Sequence, residues 1–315
     1  MRGRSMSLPR PISNHLPMRQ AHELSVAMKN QINISQDLDV FLQKVFRRED
    51  LMREILVPDY ICNGVYDLYT QLSNPETKIN RVNNLHLARS IWGLINTELP
   101  DGVATHAFFQ NTNVPLGAAN YFSKRFFVGF KMLEDFLCFS GFLIGANVKY
   151  RVYVNIDFRS ALDAINIMLK LPGGVLQEID SFKIAGPGAN RSDTFVIYCQ
   201  TMMAANEIAT AMVRAINAQT LRSIDHSTPF MTWRIGPGVS IGAEPKRQIT
   251  GFASPWNKKD PHEQSFGTIR SELIASAIMH YRENRRILGE GYPVFRQFVA
   301  IGFKGAGLDP AHPWR

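Results

Sequence analysis

The residues best suited to chemistry lie in one stretch, DSFKIAGPGANRSDTFVIYCQ, residues 180–200. Lys183 stands before a Gly/Pro turn, Arg191 at its exit, and Tyr198 on the apolar run that follows. An ammonium, a guanidinium and a phenol are groups that hold an anion and move a proton. Arg191 and Asp193 are two apart, so in extended chain they share a face. Other cations of the second half extend the set: Lys149 and Arg151 two residues apart, Arg234 just before Gly236-Pro237-Gly238, and Arg270 early in a helical segment. If they converge, forked guanidinium contacts and a helix N-terminus would hold a phosphate dianion. Convergence is not written in a sequence, and the same residues also suit an ordinary surface hairpin with solvated charges.

Local pattern places these residues on elements. Phe182–Ala185 and Thr194–Cys199 read as strands around a turn at Gly186–Asn190, because Gly and Pro interrupt a short β-prone run. Val148–Phe158 alternates, with Tyr150, Val152, Val154 and Ile156 on one face and Lys149, Arg151, Tyr153 and Asn155 on the other. Arg125–Lys131 reads as a further strand, and Thr228–Glu244 as an extended segment broken at Gly236–Gly238. Helical spacing predicts helices at Arg159–Leu171, with Leu162, Ile165 and Leu169 inward and Pro172-Gly173-Gly174 as the stop, and at Ala204–Ala218, with Ile208, Met212 and Ile216 inward. A long helix is expected after Ser265 to about Arg286, with Ile269, Leu273 and Ile278 inward. A last one carries Val294, Phe298 and Ile301. Gln110–Asn120 and Lys246–Gln264 read as polar loops.

The first hundred residues read as helical. Ser35 is placed to cap a helix whose apolar face is Leu38, Phe41, Leu42, Val45 and Phe46, with Asp37 and Asp39 near its positive end. Pro58 closes this helix or opens the next element, whose period is Ile61, Val65, Leu68 and Leu72 with Tyr66 and Tyr69 beside it. Leu85–Ile95 is a third helix, and Pro100-Asp101-Gly102 a turn. The fold expected is α+β: a basic disordered tail at 1–22, a mainly helical region at 23–120, and at 121–315 a mixed sheet layered with helices.

Composition narrows the function classes. The chain has 315 residues, room for one large core or two smaller ones. A formal charge of +8 favours anionic partners. There is no dense Lys/Arg run and no known nucleic-acid module, so no nucleic-acid partner is expected. Cys62, Cys138 and Cys199 are far apart and make neither a disulfide framework nor a zinc knuckle, which suits buried thiols in a reducing compartment. The longest apolar stretch, Phe136–Val148, is interrupted by Ser140, Gly141 and Gly145 and is shorter than a bilayer span, so no membrane partner is expected. GxxxxGKS/T, GxSxG and HExxH do not occur, and no histidine pair has ligand spacing. No cofactor or metal is expected.

Seven segments in order give a resemblance: VYDLY (65–69), KRFFVGFK (124–131), YRVYVNID (150–157), FKIAGPGANRSDTFVIY (182–198), TPFMTWRIGPGVSIGAEP (228–245), SFGTIRSELIASAI (265–278) and GLDPAHP (307–313). From about Tyr60 onward the chain resembles the HopA-type family. That family comprises type III secretion effectors and HopA-like lyases of class V lanthipeptide biosynthesis. The RSD of 191–193 and the SFG of 265–267 look more like the lanthipeptide branch. That branch implies elimination of phosphate from phosphorylated Ser or Thr in a precursor peptide, leaving dehydroalanine or dehydrobutyrine. The peptide would be phosphorylated by a separate kinase in the bacterial cytoplasm.

A more distant resemblance is to the phosphothreonine lyases OspF and SpvC, whose catalytic lysine and following strand tyrosine are echoed by Lys183 and Tyr198. Their Lys-x-His corresponds here to Lys149 and Arg151, so the histidine that serves them as general acid is missing. The resemblance implies Lys183 as general base, Arg151, Arg191, Arg234 and Arg270 on phosphate, and Lys149 or Tyr198 as the proton donor. Burial and nearby cations would have to lower the pKa of Lys183 for it to act as a base. The effector branch implies instead a protein exported through its basic N-terminus into a host cell, where it acts by protein binding, catalytic or not.

Overall fold

The computed structural model describes residues 32–53, 58–70, 127–133, 136–141, 148–186, 191–223, 226–244 and 266–315. The basic tail, the helix expected at Leu85–Ile95, the turn at Pro100–Gly102, the polar segments Gln110–Asn120 and Lys246–Gln264, the Ser265 cap and the Pro187–Asn190 part of the hairpin turn lie outside these residues.

Three helices come first: α1 (Gln36–Phe46), α2 (Glu49–Met52) and α3 (Pro58–Thr70). The start of α1 is set by Ser35, whose Oγ accepts from the Leu38 N–H at 3.1 Å, with Asp37 and Asp39 in the first turn. Its buried stripe is Leu38, Phe41, Leu42 and Val45. In α3 the buried stripe is Ile61, Val65 and Tyr69, four residues apart each time, while the expected Leu68 is only partly buried.

The sheet strands are β1 (Phe127–Leu133), β2 (Phe136–Gly141), β3 (Tyr150–Val154), β4 (Ile179–Ala185), β5 (Phe195–Cys199), β6 (Trp233–Gly236) and β7 (Val239–Ala243). They form one sheet in the order β1-β2-β4-β5-β3-β7-β6. A mixed sheet was expected, but every pairing among the described strands is antiparallel. The helical crossover between β3 and β4 would make a parallel pair only if those strands were neighbours, and the β4–β5 hairpin folds β5 back between them. Gly238, at φ +64, makes the tight turn that joins β6 to β7.

The remaining helices are α4 (Ala161–Leu169), α5 (Gly173–Gln177), α6 (Met202–Asn217), α7 (Phe266–Leu288) and α8 (Tyr292–Gly305). Pro172 both ends α4 and opens α5, so Gly173-Gly174 begin a short helix rather than only stopping one. Because α4 starts at Ala161, after a 3-10 turn at Phe158–Ser160, its inward residues are Ala161, Ala164, Ile165 and Met168; the expected Leu162 is exposed. The expected strand at 148–158 is shorter, ending at Val154, with Ile156 held by a single bridge to Ser223. In α6, Thr201 caps the first turn, and Ile208, Met212 and Ile216 face inward as the spacing predicts.

The two faces of the sheet carry separate cores. Val152, Val154, Phe182, Ile184, Phe195, Ile197, Val239 and Ile241 pack with α4, α5 and α6. Tyr153 and Val196, on the opposite face, pack with α1–α3 and with α7 and α8. Helices from the two ends of the chain therefore lie together over one face, and that face bears the cations.

Candidate functional site

Cross-strand register brings the site residues to one face. Lys183 pairs with Val196, Val196 with Tyr153, and Tyr153 with Ser240. The adjacent row runs Ser181, Tyr198, Arg151, Gly242. Directly opposed residues project to the same side of a sheet, and the two rows are two residues apart, so both face the helical layer. Strand spacing and rise put the backbones of Lys183 and Arg151 about 12 Å apart, a gap two long side chains can close around Tyr198.

The side chains meet there. The Lys183 Nζ lies 3.9 Å from the ring centroid of Phe136, and the Arg191 guanidinium carbon lies 4.6 Å from the same centroid. The Arg151 guanidinium carbon is 4.7 Å from the centroid of Tyr198. Two of the three cations carry a carboxylate. Arg191 donates from Nε and Nη2 to the two oxygens of Asp193, at 2.5 and 3.0 Å, in a buried fork. Arg151 donates from Nε to Glu244, just past β7. Among the described residues no carboxylate pairs with Lys183, so it is the cation best placed to take an anionic ligand.

Helix α3 closes the site from above. Arg191 is within hydrogen-bonding reach of the Tyr66 hydroxyl, and Tyr66 also acts electrostatically on Lys183 and Arg151. The helix is tied down by Ser192, whose N–H and hydroxyl both donate to the Thr70 carbonyl at 3.0 Å. Gly267, at the start of α7, lets Tyr66 and Tyr69 approach: a Cβ there would lie 2.3 Å from Tyr69 Cε1 and 3.0 Å from Tyr66 Cε2. Phe266 fills the space over Gly242, where a Cβ would lie 2.8 Å from its ring.

Electrostatics modify one expectation. Burial disfavours the charged Lys183 ammonium, but the net shift is upward, because Tyr198, Asp193 and Tyr66 favour the cation more than burial and Arg191 oppose it. The expected lowering is absent from the free protein. Arg191 is also shifted upward: Asp193 and Tyr66 more than offset the burial that works against its charge.

The expected arginines divide. Arg151 and Arg191 join Lys183 and Tyr198. Arg270 lies apart from this group. Fully buried, it donates from Nε to the Pro313 carbonyl at 2.6 Å, from Nη1 to Phe266 at 3.3 Å and from Nη2 to Arg315 at 3.1 Å, and its cation sits 3.5 Å from the Phe266 ring centroid. Burial pushes its pKa down to about 9. It ties the C-terminal segment to α7. Arg234 is exposed on the edge strand β6, four strand spacings or about 19 Å from Lys183, with its Nη2 3.4 Å from the His226 carbonyl. Lys149 is exposed at the head of β3, on the Arg151 face.

Sequence reasoning missed Glu244, Phe136 and Tyr66 as parts of this site. The first two are paired with their cations only through sheet register. Tyr66 was legible as an aromatic beside the α3 stripe, but that position alone reads as core. Among the described residues no group of three His, Cys, Asp or Glu is placed to hold a metal, and no helix is long and apolar enough to cross a membrane.

The sequence profile of the HopA1 effector protein family matches residues 140–315. No curated protein sequence matches the chain. Among solved structures, an effector protein from Pseudomonas syringae pv. tomato strain DC3000 is 12% identical and superposes with a TM-score of 0.51 over 93% of this chain and 98% of its own. Another, from Pseudomonas syringae pv. syringae strain 61, gives 14%, a TM-score of 0.50, and 90% and 98%. At such identities the likeness shows the fold. The phosphothreonine lyase OspF from Shigella flexneri, 12% identical over 51% of this chain and 90% of its own, superposes with a TM-score of only 0.28, too slight to carry an argument.

Proposed function

The chain belongs to the HopA1 effector protein family, and on that footing we propose that its cationic sheet face is the active site of a phosphoserine/phosphothreonine lyase. The observation that carries this reading is the gathering of Lys183, Arg191, Arg151 and Tyr198 on one face, with Lys183, among the described residues, the cation of the three without a carboxylate. A phosphorylated side chain brings two negative charges, which Lys183 and the outer edges of the two guanidiniums would receive. Lys183 as a neutral amine would take the proton from Cα. The electron pair then forms the Cα=Cβ bond as the Cβ–O bond breaks and phosphate departs. Charge building on the phosphate is met by guanidinium groups already oriented by Asp193 and Glu244, and such preorganised contacts are worth about 3–4 kcal/mol each. Arg234 and Arg270, first expected on phosphate, have no part in this arrangement.

The substrate we propose is a phosphorylated precursor peptide supplied by a separate peptide kinase, as in lanthipeptide maturation. Support comes from the RSD and SFG segments: Ser192 and Asp193 tie the hairpin to α3 and Arg191, and Gly267 admits Tyr66. Mass spectrometry of phosphoserine and phosphothreonine peptides incubated with the protein tests the reading. Loss of phosphoric acid with the full chain, abolished in Lys183→Ala, is expected; an undiminished rate in Lys183→Ala would overturn it.

The family match also favours a second reading, a secreted effector that acts in a host cell by protein binding. A reporter fused to residues 1–50 distinguishes it: export by a type III system supports this reading, and retention counts against it.

A further inference from the structure

The proposed elimination needs a proton donor at the departing oxygen, and Lys183, Arg151, Arg191 and Tyr198, gathered on this face, include no histidine. We propose that Tyr66, on helix α3, is that donor: its oxygen accepts an N–H from Arg191 while its own O–H is given to the phosphate oxygen that leaves Cβ. The inference rests on the lyase reading and deepens it, because it assigns to the N-terminal helices a residue of the reaction itself.

Placement supports Tyr66 over the other two donors. Base and acid act at different atoms, one on Cα and one on the oxygen beyond Cβ, so the acid belongs beside the phosphate-holding cations rather than beside the base. Tyr198 is the strongest electrostatic neighbour favouring the Lys183 cation, and Arg151 covers its ring. Lys149 is exposed at the end of β3. The Tyr66 hydroxyl is within hydrogen-bonding reach of Arg191, and Tyr66 neighbours Lys183 and Arg151. Its ring is held: the Tyr69 centroid is 5.7 Å away, and the Gly267 backbone leaves no room behind it. The Ser192–Thr70 hydrogen bonds keep the last turn of α3 against the Arg191–Asp193 segment. A phenol that accepts from a guanidinium has its single proton left to donate.

The step balances. Lys183 gains the Cα proton, the Cα–H electron pair becomes the double bond, and the Cβ–O pair goes to the phosphate oxygen, which takes the Tyr66 proton. The products are the dehydroamino acid and hydrogen phosphate. The Tyr66 phenolate, held by Arg191, recovers its proton from the Lys183 ammonium through solvent.

The test is Tyr66→Phe in the full chain, assayed on phosphoserine and phosphothreonine peptides. Loss of a general acid predicts a fall in kcat of about 100-fold or more with KM changed little. The alkaline limb of the rate profile, where the acid loses its proton, should disappear. Fluorotyrosine incorporated at position 66 keeps the ring and should move that limb to lower pH. A Tyr66→Phe protein with wild-type kcat, or with only KM raised, would overturn the assignment while leaving the lyase reading intact. A full chain that eliminates phosphate from no phosphopeptide would overturn the lyase reading, and this inference with it.

Discussion

At the residue scale, the central quantity is the protonation of Lys183. Tyr198, Asp193 and Tyr66 hold the Lys183 ammonium above the ordinary lysine range against burial, so the neutral amine is a minor form at pH 7. A base must be neutral to accept a proton, so an upward shift lowers the neutral-pH rate and puts the rising limb of kcat/KM in the alkaline range. We expect the rate to climb with pH from neutrality until the acid loses its proton. A pH–rate profile that is flat from pH 7 to 9 would remove Lys183 as the base. Arg191 and Arg270 show how the same residue type takes opposite roles. Arg191 has its Nε and Nη2 satisfied by Asp193 beside Lys183, whereas Arg270 donates to backbone carbonyls of its own helix and the C-terminal segment. Lys, Arg and Tyr were identifiable as anion-handling types from the sequence. Which arginines turn toward Lys183 was not, because that depends on partners 40 or more residues away in sequence, such as Pro313 for Arg270.

At the element scale, α3 and the start of α7 meet over the sheet through one glycine. The Gly267 contact with Tyr69 involves an aromatic ring fully enclosed by its neighbours, so Gly267→Ala must displace the ring or the helix. Overpacking of this kind costs about 1–3 kcal/mol. We expect a lower Tm and, because Tyr66 moves with Tyr69, a larger loss of phosphopeptide turnover than the stability change alone explains. Turnover measured well below the Tm of both proteins checks this; equal rates there would show that the α3–α7 contact does not position the site. The helices and strands themselves were largely legible. Ser35 caps as its chemistry predicts, and β3 sends Val152 and Val154 to one core and Tyr153 to the other, although it is buried on both faces. The exceptions have local causes, such as the 3-10 turn that rotates the α4 stripe away from Leu162.

At the scale of the molecule, helices from both sides of the boundary expected near residue 120 share one core. Leu38, Phe41, Leu42, Val45, Leu51, Ile61, Val65 and Tyr69 are essentially fully buried in one core with Phe266, Phe295, Phe303, Tyr153 and Val196. At about 1.5–3 kcal/mol for each such side chain, their loss matches or exceeds the entire margin of about 5–15 kcal/mol that holds a folded protein together. A chain beginning at residue 121 is therefore expected to lose cooperative unfolding and to bind a hydrophobic dye. A sharp thermal transition near that of the full chain would show instead that residues 121–315 fold independently.

The amino-acid order by itself determined the helix caps, the strand alternation, the β4–β5 hairpin and the family, because each depends on residues close together in the chain. It also marked Lys183 and Arg191 as anion-binding types. Tertiary structure decided which cations share a face, that Arg151 is held by Glu244, that Arg270 clamps the C-terminal segment, and that Tyr66 reaches into the site. Those outcomes depend on sheet register and on two ends of the chain packing over one face, and contacts across such distances leave no local trace in sequence.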